Sequence, residues 1–256
     1  MIFNPNELPA TFKNLCGPGV DGEITETGNR TRTLLYCTEY ENPSYTITSS
    51  GKGIVIFAQK RIVIGGILDV TGKGAAGGIA PTGSPGNGNP GENGRLLSSG
   101  GDGGPAYQKT GGAGGVASDS VLWYDHFLFS ALWDMVKDDY LAGPGGGSGA
   151  TYNTQHPGGD GGDGGGYIVL FAPHIIVTGT LTVNGVDGED TPTSGGASDD
   201  GGGGGGGSGG VIWLVGRTID TSTGTMNKAG GAGGVSERTD CNGLPGAEGA
   251  EIKVLV

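Results

Sequence analysis

Three histidines are the first candidates for chemistry: His126, His156 and His174. A metal site needs several ligands converging at suitable spacing, and neither an H-x-x-x-H nor a paired-cysteine motif occurs. Asp125-His126 sits in an apolar run, where a histidine on a helix surface is the ordinary reading, and His174 follows Pro173 inside a strand-like block. His156 lies in a polar island with Tyr152, Asn153 and Gln155. GGDGGD at 158–163 partly matches a calcium-binding glycine-aspartate nonapeptide, but it lacks the apolar residue after the aspartate and is not repeated. A phosphate loop needs G-x-x-x-x-G-K-[ST], which is missing, and the many G-x-G matches follow from composition. Acidic residues are scattered singly, so no glycosidase pair can be picked out. These residues point to no catalytic group, no metal and no cofactor, and so to a non-enzymatic protein.

Composition narrows the classes further. Glycine supplies 60 of 256 residues, hydrophobic residues only 34%, so a conventional side-chain core is small. The net charge of -12, from 26 acidic and 14 basic residues, comes without a basic stripe. Binding of a phosphate backbone rests on Lys and Arg, so no nucleic-acid partner is expected. Cys16, Cys37 and Cys241 are odd in number and show no C-x-x-C spacing, which argues against a disulfide scaffold; a Cys16–Cys37 pair stays open. The opening MIFNPNELPATFK does not read as a signal peptide. With no apolar run of about 18 residues, membrane insertion is not expected either.

The elements that must position any function come as repeated blocks. GIVIFAQKRIVIGGILDVTG (53–72), GYIVLFAPHIIVTGTLTVNG (166–185) and GVIWLVGRTIDTSTGTMNKAG (210–230) share one plan. Each has an apolar run, a small residue (Ala58, Ala172, Gly216), a second run, a glycine (Gly66, Gly179, Gly224) and an alternating segment. β-Branched residues bounded by glycine read as strands, and AEIKVLV at 250–256 resembles the opening of a fourth block. Blocks that each expose an apolar face need neighbours to bury it. The separations, 113 and 45 residues between the corresponding glycines, exclude a regular short-period solenoid and fit a constant β core with variable insertions.

The insertions read in threes: GGDGGP at 100–105, GGAGGV at 111–116 and 230–235, GGDGGDGGG at 158–166. Three residues per turn is the period of polyproline II, whose backbone groups all point outward. Several such glycine helices packed side by side can bond to one another where no Cβ intervenes. Asp102, Asp160 and Asp163 are then expected at a solvent edge, and Ala113, Val116, Ala232 and Val235 against the β core or a partner.

One segment departs from this. SVLWYDHFLFSALWDMVKDDYLAG at 120–143 reads as an α-helix, capped by Asp119 or Ser120 and ended by Gly143-Pro144. Its apolar surface exceeds what a solvent-facing helix needs. It would plug the β core or pack on another subunit, with Trp123, Phe127, Phe129 and Trp133 as subunit-packing candidates. Residues 1–49 lack the glycine triplets and hold one hairpin or strand pair near 30–48. They form either an attachment segment or the first edge of the same sheet. The expected organisation is thus an N-terminal segment (1–49) and a glycine-rich domain (50–256) with a helical insertion at about 120–142. The fold class is mainly β: stacked strand blocks, polyglycine-II-like helices alongside, one inserted α-helix.

GYIVLFAPHIIVTGTLTVNG followed by GG-rich runs, with GGAGGV, GGDGGDGGG and GGGGGGGSGG, resembles the glycine-rich tail-fibre tip adhesins of tailed bacteriophages over residues 50–256. The resemblance implies a sandwich of packed polyglycine helices, receptor-contacting loops at the distal end and an N-terminal junction to the fibre. The strong strand blocks and aromatic helix depart from that pattern, and a purely structural virion component, as tail-tip, capsid-decoration or head-fibre subunit, fits the same features. A polysaccharide-degrading β-helical enzyme is a more distant alternative. Implied partners are other virion proteins, self-association as a trimer, and a host surface glycan or outer-membrane protein. The receptor-contact candidates are Tyr107, Gln108 and Lys109 in one island, and Tyr152, Asn153, Gln155 and His156 in another. Asp187, Glu189 and Asp190 make a third.

Overall fold

The computed structural model describes residues 21–82, 85–96, 99–106, 109–119, 141–153, 156–191 and 201–256. Its core is a stack of strand turns, every pair of named strands being parallel. The second turn of the stack is β3 (Leu34–Asn42) and β4 (Thr46–Thr48), and the third is β5 (Gly53–Ile64) and β6 (Ile67–Asp69). The next is β9 (Tyr167–Phe171), β10 (His174–Val177) and β11 (Thr180–Thr182), followed by β12 (Val211–Gly216), β13 (Thr218–Asp220) and β14 (Thr225–Asn227). β1 (Glu23–Thr25) and β2 (Arg30–Thr31) precede them, β15 (Ala250–Leu255) follows, and a small pair, β7 (Gly94–Leu96) with β8 (Ala117–Asp119), stands apart. One sheet runs β1-β3-β5-β9-β12-β15 with β10 and β13 attached, the other β14-β11-β6-β4-β2.

The three blocks stack residue on residue. Ile54, Ile168 and Ile212 share one position, and Ile56, Leu170 and Leu214 another. Leu68, Leu181 and Met226 share a third. Gly66, Gly179 and Gly224 form the corner of successive turns, where a Cβ on Gly179 would overlap the Gly66 carbonyl. The end of one turn is bonded to the start of the next: Val70, past the end of β6, accepts a hydrogen bond from Gly166 N at the entry to β9, and Val183 accepts from Gly210 N at the entry to β12. The ladders bury one apolar core inside the turns. A second cluster lies on the other face of the large sheet, with Val55, Phe57, Tyr167, Val169, Phe171, Trp213 and Val215. β-Branched residues at both faces are what a parallel sheet covered on both sides requires.

Residues 23–48 belong to the same two sheets. β3 pairs with β5 along its length, and the strands near 30–48 pair in parallel, β2 with β4, where a hairpin would be antiparallel. Cys37 is buried beneath β5, where desolvation, with the charge of Asp21 adding to it, pushes its thiol up to about 12. Cys16 lies outside the described residues. The expected helix falls almost wholly on 120–140, also outside them, together with Trp123, Phe127, Phe129 and Trp133. Leu141 and Ala142, which the helix was expected to include, are not helical and pack on the second cluster. Among the described residues the helical element is a single 3-10 turn, Thr239–Cys241.

Candidate functional site

Ten glycine-rich segments leave the β stack at one corner and return to it. Between β6 and β9 run 73–80, 86–93, 99–106, 110–116, 141–151 and 157–166. Between β11 and β12 run 183–191 and 201–210, and between β14 and β15 run 228–236 and 241–249. Their backbone hydrogen bonds order them into three rows. One row is 110–116, 99–106 and 241–249. The middle row is 86–93, 141–151, 201–210 and 228–236, and the third is 73–80, 157–166 and 183–191.

The bonding recurs every third residue. The N–H groups of Gly202, Gly205 and Ser208 donate to Ala150, Gly147 and Pro144. Those of Gly203, Gly206 and Gly209 donate to Cys241, Leu244 and Ala247, and those of Gly204, Gly207 and Gly210 to Glu189, Val186 and Val183. Carbonyls of the same segment accept in turn from 157–166, 99–106 and 228–236. Residues 141–150 and 201–210 are buried throughout. An unpaired buried backbone group costs about 1–3 kcal/mol, so a buried interior of this kind demands pairing of this density.

Glycine is required by distance. A Cβ on Gly146, Gly161 or Gly205 would fall inside the carbonyl of the adjacent segment. The segments 157–166, 201–210 and 241–249 run straight into β9, β12 and β15. Neighbouring strands lie about 4.8 Å apart, so the stack sets the spacing at which the glycine segments begin.

Where an outer segment lacks a neighbour, side chains supply the acceptors. Asn184, Asp187 and Asp190 accept from the backbone N–H of Ala229, Ala232 and Val235 at 2.9, 2.7 and 2.6 Å. Asp163 and Asp160 accept from Gly77 N and Ala80 N, Asp102 from Gly114 N, and Asn93 from Val116 N. Asp102 and Asp163 are exposed and Asp160 half-buried. Asp187 and Asp190, read from sequence as part of a receptor island, are therefore tied to the edge of the glycine body. The N-x-x-D-x-x-D spacing at 184–190 was the sequence signal for this role. Ala113, Val116, Ala232 and Val235 do not meet the β core; all four are exposed on the single chain. Replacing Asp187 by alanine should lower the melting temperature by about 2–4 °C, whereas Asp187→Asn should melt as wild type, because Asn184 already performs the task one repeat earlier. Thermal unfolding followed by circular dichroism checks both.

The turns at the far ends of the segments gather at one place. Thr151 exchanges backbone hydrogen bonds with Gly86, and its Oγ1 donates to Pro81 O at 2.7 Å. Ala150 N bonds to Gly104 O, Gly104 N to Gly203 O, and Gly203 N to Cys241 O. Thr191 N bonds to Val235 O. The described residues at these far ends, 81–82, 85–86, 104–106, 151–153, 156–157, 191, 201 and 235–241, thus share the end remote from the β stack. Lys109 pairs with Ala106, their N–H and C=O groups bonded at 2.9 and 3.2 Å. Tyr152 N donates to His156 O, and His156 N to Asn153 Oδ1 at 3.0 Å. The Tyr152 and His156 rings meet edge-on, centroids 6.2 Å apart. Lys109 of one island and Tyr152, Asn153 and His156 of another are hence brought to the same end; Tyr107, Gln108 and Gln155 lie outside the described residues.

His174 lies elsewhere, in the stack, its Nδ1 2.8 Å from Thr218 Oγ1. Among the described residues no group of three His, Cys, Asp or Glu side chains is arranged to hold a metal ion. The chain matches no family model, no curated protein and no solved structure.

Proposed function

We propose that this is a non-enzymatic virion protein of a tailed bacteriophage, at the tail or fibre tip, which binds a host surface glycan or outer-membrane protein through the turns at the far end of its glycine body. In this reading the glycine segments are polyglycine II helices. Support for that comes from the three-residue recurrence of their hydrogen bonds, which matches the three residues per turn of the polyproline II family. The observation that carries the functional reading is the convergence of the turns bearing Lys109, Tyr152, Asn153 and His156 at one end, opposite the strands. Aromatic side chains beside amides offer rigid contact area together with hydrogen bonding. A body whose backbone groups are spent internally holds such turns in fixed relation, so less ordering is needed on binding.

The test is Tyr152→Ala with His156→Ala, introduced into particles carrying this protein. Attachment to host cells should fall by at least about a hundredfold, as removal of two central anchors implies, while particle yield stays normal. Normal attachment would sink the proposal. Failure of assembly would favour the purely structural virion component instead, and soluble fragments released from host polysaccharide by wild type would favour the enzyme.

A further inference from the structure

The ladders inside the β stack are apolar until they reach β15. Ile54, Ile168 and Ile212 are followed at the same position by Glu251, and Ile56, Leu170 and Leu214 by Lys253. The intervening Ile252 and Val254 pack on the second cluster, beyond the other face of the sheet. Glu251 and Lys253 therefore face the same side as the core ladders. They pair with each other at 2.8 Å, and Lys253 Nζ also donates to Thr221 Oγ1 at 2.8 Å. Beside them Lys228 pairs with Glu248. Among the described strands β15 stands at the edge of the sheet, with β12 on one side.

The opposite end of the stack has a related device. Tyr40 continues the ladder of Ile62, Ile175 and Ile219 and is fully buried. Its hydroxyl donates to Glu26, whose carboxylate also accepts from Arg32 Nε at 3.0 Å. Burial, with the Glu26 charge adding to it, pushes the Tyr40 phenol upward, so it stays the donor.

Parallel strands in register present a row of free backbone groups at each edge, which invites strand addition. Inward-pointing charges on an edge strand oppose it, because a strand laid beside them takes the ions out of water at a cost that their pairing only partly offsets. We propose that β15 is a built-in terminator: Glu251 and Lys253 stop the stack from adding another turn or the stack of a second copy. Contacts with other copies and with other virion proteins then use surfaces other than this end, and head-to-tail growth into filaments is blocked.

The experiment replaces both charges by the residue the ladders already use, Glu251→Ile with Lys253→Ile, and follows sedimentation velocity over a wide concentration range. The variant should self-associate beyond the wild-type species, its association constant raised at least about a hundredfold by the added apolar area. A sedimentation profile identical to wild type would overturn the proposal. Should the isoleucine pair fail to fold by circular dichroism, Glu251→Gln with Lys253→Gln decides the matter. That pair removes the charges without adding apolar surface. Its association above wild type supports the terminator, and its failure to associate rejects it. Cell attachment is not part of this readout, so failure here and failure of the receptor reading are told apart.

Discussion

Gly205→Ala is expected to abolish the native fold, while Gly28→Ala leaves it intact. Both are glycine-to-alanine changes at residues with ordinary backbone angles, so conformational freedom does not separate them. Space does. A Cβ on Gly205 would sit inside the Gly101 carbonyl, with Asp102 backbone close behind, whereas a Cβ on Gly28 has nothing within 4 Å. Relief at Gly205 would have to come from moving 99–106, which is itself bonded to 110–116, 141–151 and 241–249. Overpacking in an ordinary core costs about 1–3 kcal/mol because side chains give way; here the obstacle is main chain of the adjacent segment, and the cost should exceed that range. Gly28→Ala should stay within about 0.5 kcal/mol of wild type. Thermal unfolding and soluble yield of the two variants check the contrast. Equal tolerance at both sites would mean that the glycine segments are not packed against one another.

Much of the β stack was legible. The shared plan of the blocks gives the register itself: Ala58, Ala172 and Gly216 recur where the first runs end, and Gly66, Gly179 and Gly224 where the turns close. The reason is physical. A stacked turn buries the same position each time, so residue size and apolarity repeat. What hid the turn was the insertion between β6 and β9, which separates strands that lie side by side. The first turns were hidden differently. In LLYCTEYEN the inward positions hold Leu35, Cys37 and Tyr40 rather than a run of Ile and Val, so the segment did not resemble the later blocks.

The glycine body was legible locally and not globally. The triplets give the period of three, and with it the direction in which each N–H points. They do not say which segment lies beside which, because bare glycine faces carry no side chains to tell neighbours apart. That information resides in the strands, which fix where each segment starts and ends. The acceptor role of Asn184, Asp187 and Asp190 was readable from their spacing of three, yet Asp187 and Asp190 were read, with Glu189, as a receptor island between glycine runs. The convergence of the Lys109 and Tyr152–His156 turns could not be derived from sequence, since it follows from the order of rows alone.

Amide hydrogen exchange of 201–210 tests the central claim, an ordered glycine body, most directly. This segment holds one non-glycine residue, Ser208, so an unfolded tract of this composition would exchange as free chain. Its successive N–H groups from Gly202 to Gly210 are instead all donated to carbonyls of three other segments. Opening any one bond requires separating segments that are each held by the others, so exchange should need cooperative unfolding. The account predicts that these amides exchange as slowly as those of Ile168–Phe171 in β9, retarded about 10⁴-fold or more relative to free chain. Exchange of 201–210 at free-chain rates, with β9 still protected, would contradict it.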